Sequence, residues 1–193
     1  IRPSRGLGDV YKRQVYHQGS LAVLRGNLAP DGAVMKPAAA EARLHKHTGP
    51  AIVFDSYKEM KAAVENETLD VTADHIMVFR NAGPVGGPGM PEWGMLPIPV
   101  KLVKQGVRDM LRISDARMSG TSYGACILHA APEAAIGGPL ALVKNGDMIA
   151  VDVAARTLDL LVDKAELQAR KQVWQPPEQT VSRGYHWMSA QHI

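Results

Sequence analysis

The sequence predicts a mainly β domain with flanking helices, of the α+β class. Three observations carry that expectation. The apolar segments are short, four to six residues each, and recur between polar or glycine-proline stretches, which is the length of strands rather than helices. Asn145-Gly146 stands between the apolar segments 140–143 and 148–153, the strongest short-range hairpin signal. Helix-start signals are few: Ser56 with Glu59, and Asp163 with Glu166, each a cap residue followed three positions later by a glutamate.

Taken in order, residues 1–14 (IRPSRGLGDVYKRQ) are basic and patternless and read as a non-native tail. Gly6 and Gly8 have no strand before them and no third glycine after, so they make no dinucleotide loop. Asp31-Gly32 marks a turn into a short strand at 33–35, and 51–54 is the next compact apolar strand. A helix follows the Ser56 cap, with Tyr57, Met60 and Val64 at the spacing of a core-facing stripe. Residues 75–79 form another strand, 95–104 are proline-interrupted and stay open, and 110–113 and 126–131 are two further apolar runs. Alternating apolar residues continue through 148–153 and 157–162, and Asp163 opens a helix with Arg170 and Lys171 near its end, where cations complement the helix dipole. A domain is therefore expected over 15–175, with 176–193 a proline-broken linker and the start of a further, truncated helix.

Composition narrows the function classes. At 193 residues the chain can bury a sizeable core, and 46% hydrophobic with 21% charged residues is ordinary for a soluble globular protein. The net charge of +3 comes entirely from the tail, where Arg2, Arg5, Lys12 and Arg13 face only Asp9. No basic, aromatic-interleaved surface is left to suggest nucleic acid. The one cysteine, Cys126, rules out an internal disulfide and reads as a small buried residue in an apolar run. With no apolar run of membrane-span length and no leader, a cytoplasmic protein without membrane contact is expected.

Chemistry concentrates in two loops. The first, 81–89, packs four glycines and two prolines together, an irregular backbone whose N–H groups can cradle an anion. It lacks the Lys-Ser/Thr ending of a P-loop, and Glu92 follows it. The second reads Ser114-Asp115-Ala116-Arg117-Met118-Ser119-Gly120-Thr121-Ser122-Tyr123-Gly124 and sits between two apolar runs. Ser119 before Gly120 suits a hydroxyl held where the backbone turns and a ligand approaches. Asp115 and Arg117 read as braces of the loop, and His129 and Glu133 as core or supporting groups without an assigned role. His45 and His47, two apart with no third ligand near, read as solvated loop histidines rather than a metal pair.

These loops, with His129-Ala130-Ala131-Pro132-Glu133 and Gly137-Gly138-Pro139 downstream, resemble the C-terminal domain of the dihydroxy-acid dehydratase and phosphogluconate dehydratase superfamily. The wording of the second loop is most similar to its sugar-acid branch, the L-arabinonate and other pentonate dehydratases. The resemblance implies a β/β/α barrel like the swivelling domain of aconitase-type enzymes. It also implies a hydro-lyase that converts a sugar acid to a 2-keto-3-deoxy acid. Branched-chain dihydroxy-acid or phosphogluconate dehydration is the alternative within the superfamily, and a non-enzymatic small-ligand module on the same barrel the alternative outside it. By resemblance, Ser119 is the base, Thr121 contacts substrate and Glu92 is a Mg2+ ligand. The [2Fe-2S] cluster and the other Mg2+ ligands are expected in an N-terminal domain that this stretch lacks, so this stretch alone is expected to be inactive. A homo-oligomer is expected from the same source.

Overall fold

The computed structural model describes residues 20–120, 123–178 and 181–193. Thr121 lies outside them. Eight strands form one sheet in the order β1-β2-β6-β5-β4-β3-β7-β8. They are β1 (Ala22–Leu24), β2 (Gly32–Met35), β3 (Lys46–Phe54), β4 (Ile76–Phe79), β5 (Arg112–Ser114), β6 (Cys126–Ala131), β7 (Met148–Asp152) and β8 (Thr157–Leu160). The two edges meet: Arg25, just past β1, bridges to Thr157 of β8. Asn27 completes the seam, its side chain donating to the Leu160 carbonyl at 2.8 Å and accepting from the Leu160 N–H at 2.6 Å. The result is a nearly closed barrel, which removes the unpaired edges that an open sheet would expose. The expected mainly β, α+β architecture is present.

Strands β3, β4, β5 and β6 are mutually parallel. Their carboxyl ends therefore lie along one edge, with Phe54, Phe79 and Ser114 in register. Such an edge is where α/β sheets collect their ligand-binding loops. One apolar cluster fills the barrel, with Leu24, Met35, Ile113, Ile127, Ile149 and Leu158 among its members. A second lies between the sheet and the helices α1 (Tyr57–Glu65) and α2 (Val100–Lys104). Helices α3 (Lys164–Val173) and α4 (Gly184–Ala190) bury no residue fully. Among the described residues, no helix is long and apolar enough to cross a membrane.

Three local expectations are corrected. Asn145-Gly146 does turn the chain, with Gly146 at φ 85°, but it closes no hairpin. Residues Pro139–Leu142 form a 3-10 helix, while β7 pairs with β3 and β8. The Asn145 side chain accepts instead from the Val53 N–H at 2.6 Å, so a long-range bond takes the place of the local one. Tyr57 is 40% exposed rather than in the core, and its ring stacks on Trp93 with centroids 5.1 Å apart. Asp163 sits at the N-cap of α3 but makes no side-chain cap bond. The Ser56 cap forms as expected: its hydroxyl accepts from the Glu59 N–H, and Glu59 reaches back to the Asp55 N–H.

Candidate active site

The 81–89 loop leaves β4 and the 115–125 loop leaves β5, so both start on the shared carboxyl edge. Asp115 sits at their junction, 2% exposed. Its carboxylate accepts from the backbone N–H groups of Asn81 (3.2 Å), Ala82 (3.0 Å) and Ala134 (2.9 Å), joining three loops through one side chain. Burial pushes its pKa above the ordinary value, the Glu133 charge adds to that, and the three N–H bonds oppose it. Glu133 does the same further along the glycine loop. Its two oxygens accept from the N–H groups of Val85 (2.9 Å) and Gly86 (3.1 Å). A Cβ on Gly83 would stand 2.4 Å from a Glu133 oxygen, so the glycine there makes room for the brace. The loop does cradle anions, then, but at these N–H groups they are carboxylates of the chain itself rather than a ligand.

Arg117 does not pair with Asp115. It donates to the Met90 carbonyl at 2.5 Å and to Glu92 at 2.9 Å, while its own carbonyl accepts from the Gly94 N–H at 2.7 Å. The Arg117 and Glu92 side chains are 44% and 49% exposed. Glu92 is thus tied to the serine loop through Arg117, which precedes Ser119 by two residues, with its carboxylate half exposed.

The chain leaves β5 at Ser114 and re-enters the sheet at Cys126, which lies beside Arg112 at the start of β5. A buried ion pair receives it there: Arg112, 1% exposed, donates to Asp109 at 2.9 Å. Asp109 also accepts the Ala125 N–H, and Gly124 lies with φ +94° where a Cβ would meet the Arg112 guanidinium at 1.9 Å. Residues 118–120 line a cleft of about 150 Å3 together with residues of β2 and β6. Ser119, Lys36, Cys126 and His129 line this cleft together with apolar side chains. The Lys36 ammonium donates to the Gly120 carbonyl at 2.9 Å, which holds the backbone immediately after Ser119. Cys126 is buried, and burial raises its thiol pKa.

The structure therefore brings Glu92 and Ser119 into adjoining loops linked by Arg117. Thr121 falls outside the described residues. His45 and His47 are separated, bonding through Nε2 to the carbonyls of Pro37 and Asp74. Sequence reasoning missed Lys36 and His129 as cleft residues. A polar side chain within the apolar run 126–131 was the available signal for His129, and none marked Lys36. Among the described residues, no cluster of three or more His, Cys, Asp or Glu side chains could hold a metal ion.

A barrel whose parallel strands deliver a serine loop and a carboxylate-braced glycine loop to one edge defines the class. The chain belongs to the dihydroxy-acid/6-phosphogluconate dehydratase C-terminal family, which it matches over residues 9–193. It is 57% identical over 174 residues to a 6-deoxy-6-sulfo-D-gluconate dehydratase of Pseudomonas putida, covering 90% of this chain and 30% of that one. It is 51% identical over 175 residues to an L-arabinonate dehydratase of Rhizobium leguminosarum bv. trifolii, covering 91% and 30%. A dihydroxy-acid dehydratase of Methanoregula boonei is 49% identical over 158 residues, covering 82% and 28%. The chain thus spans about three-tenths of the length of these relatives.

Proposed function

We propose that this chain works as the C-terminal part of a hydro-lyase that dehydrates a sugar acid, a pentonate such as L-arabinonate, to the 2-keto-3-deoxy acid. The observation that supports it best is Ser119 at a cleft whose lining carries Lys36 and no carboxylate. A serine hydroxyl is too weak a base at neutral pH and needs neighbouring positive charge to act as an alkoxide. Ser119 would take the proton from C2 of the acid as the C3 hydroxyl departs, and Lys36 keeps the backbone at Gly120 in place while it does so. Thr121 is the further substrate contact in this reading. A sulfonated hexonate is the second reading, favoured by the 57% identity to the sulfogluconate enzyme, and turnover of each acid separates the two.

Glu92 supplies one hard oxygen ligand, which suits Mg2+, and its exposed carboxylate can share an ion with ligands from outside this chain. Such an ion would hold the substrate carboxylate and C2 oxygen in place. A [2Fe-2S] cluster in this reading takes most of its thiolate ligands from outside this chain, whose one cysteine is Cys126 of β6.

The test is Ser119→Ala in the complete dehydratase polypeptide. Loss of a general base should lower kcat about 10²- to 10⁴-fold with little change in KM, and substrate deuterated at C2 should keep its label. Near wild-type turnover or label exchange would place the base elsewhere.

A further inference from the structure

β6 is buried from Cys126 to Leu128 and again at Ala130, and His129 is its one exposed residue. Its backbone is unusual as well, with φ 54°, a left-handed conformation uncommon outside glycine, which histidine enters more readily than most side chains, as asparagine and aspartate do. The cause lies in the strand pairing. Ala131 faces Gly32 and Leu128 faces Val34, so His129 and Ala130 together oppose Ala33 alone. This is a β-bulge, the device that re-aims one side chain of a strand. Here it places His129 among the residues that line the Ser119 cleft. The His129 N–H also donates to the Ala116 carbonyl at 3.2 Å, tying the bulge to the serine loop.

A bulge needed only to curve the barrel would be met with less strain by glycine. A histidine at the bulge, exposed on an otherwise buried strand and lining a cleft, points to a use for the ring. The cleft lining supplies few polar side chains: Lys36, Ser119 and His129, with Cys126 as a weak donor.

We propose that His129 is a second substrate-facing residue of the Ser119 cleft, hydrogen-bonding an oxygen of the bound hydroxy acid. This rests on the dehydratase reading above. In the complete enzyme, His129→Gly should melt no lower than wild type, since glycine relieves the left-handed backbone, yet lose at least about tenfold in kcat/KM, mainly through KM. His129→Asn tolerates the same φ and keeps a donor, so it should recover part of the loss. A second measurement needs no change at position 129. In the Ser119→Ala enzyme, the His129 ring resonances should shift when the sugar acid is added.

A His129→Gly enzyme within twofold of wild-type kcat/KM, or ring resonances that ignore the acid, overturns the proposal. If Ser119→Ala is inactive in that same experiment, the dehydratase reading stands and only the role of His129 falls. If Ser119→Ala turns over like wild type, the base lies elsewhere, and if the wild-type enzyme dehydrates no sugar acid, the dehydratase reading falls.

Discussion

Glu133 and Glu92 are glutamates serving the same glycine-proline segment, and they are used in opposite ways. Glu133 is buried, with both oxygens accepting backbone N–H groups of the segment's first half. Glu92, in the second half, is half exposed, and among the described residues its carboxylate pairs with the equally exposed Arg117. A carboxylate whose lone pairs are taken up by amides is part of the scaffold. One held by a single solvent-exposed guanidinium can exchange that partner for a ligand. The difference separates structure from chemistry inside one loop, and burial with hydrogen-bond count decides it.

The strongest way to break this division is at Asp115, the most connected brace. Asp115→Ala would leave three N–H groups without this acceptor, those of Ala82 and Ala134 buried and that of Asn81 partly so, and a buried one costs about 1–3 kcal/mol when unsatisfied. A stability loss of about 3 kcal/mol or more is expected in urea unfolding. A loss under about 1 kcal/mol would show that water replaces the carboxylate and that the loops hold each other without it.

The paired glutamates give the next effect. Glu133→Gln keeps one acceptor oxygen and turns the other into a donor facing an N–H, so it should cost about 1–2 kcal/mol. Glu92→Gln should change stability by less than about 0.5 kcal/mol, because an exposed ion pair contributes little. In the complete enzyme, however, it should weaken Mg2+ binding roughly tenfold or more, with activity partly rescued at high Mg2+. Equal stability losses in the two variants would erase the distinction, and unchanged Mg2+ dependence would remove Glu92 from the metal site.

How far the sequence could be read follows the same line. Short apolar runs and the Ser56 cap depend on neighbours in the chain, and both are present in the structure. The Ser119 and Glu92 loops were legible as polar, glycine-rich interruptions between such runs. What the sequence hid is long-range bonding. The Asn145 side chain finds Val53, 92 residues away, and the hairpin expected at Asn145-Gly146 is lost to that pairing. The anion cradle was foreseen in 81–89, but its occupants come from 115 and 133, and no local pattern announces that. The His129 bulge arises from a one-residue mismatch between β2 and β6, which neither strand shows alone.

The last expected effect, confined to the acid limb, sharpens the comparison with a third carboxylate, held mainly by charge. Asp147 receives two bonds from Arg170 of α3, at 2.5 and 3.1 Å, and one from the Lys144 N–H at 2.7 Å. Burial alone would raise its pKa, but these bonds outweigh it and hold the carboxyl below the ordinary 3.8. The shift at Asp115 runs the other way. The two should therefore act on opposite limbs of the stability curve. A lowered folded pKa gives Asp147 a contribution that is complete above the unfolded value of 3.8 and lost as pH falls through the folded one. A raised folded pKa means that ionising Asp115 opposes folding, a cost absent below 3.8 and growing as pH rises toward its folded value. Asp147→Asn should thus flatten the fall in urea midpoint on the acid side of 3.8, by roughly 1 kcal/mol for a largely buried Arg–Asp pair. It should leave the slope above 3.8 unchanged. The α3 contacts should loosen at neutral pH as well, because Arg170 loses its best partner. If the acid limb of Asp147→Asn follows wild type, the Arg170 pair holds no charge that folding needs, and α3 docks through its other contacts, among them the Arg170 bond to the Leu142 carbonyl.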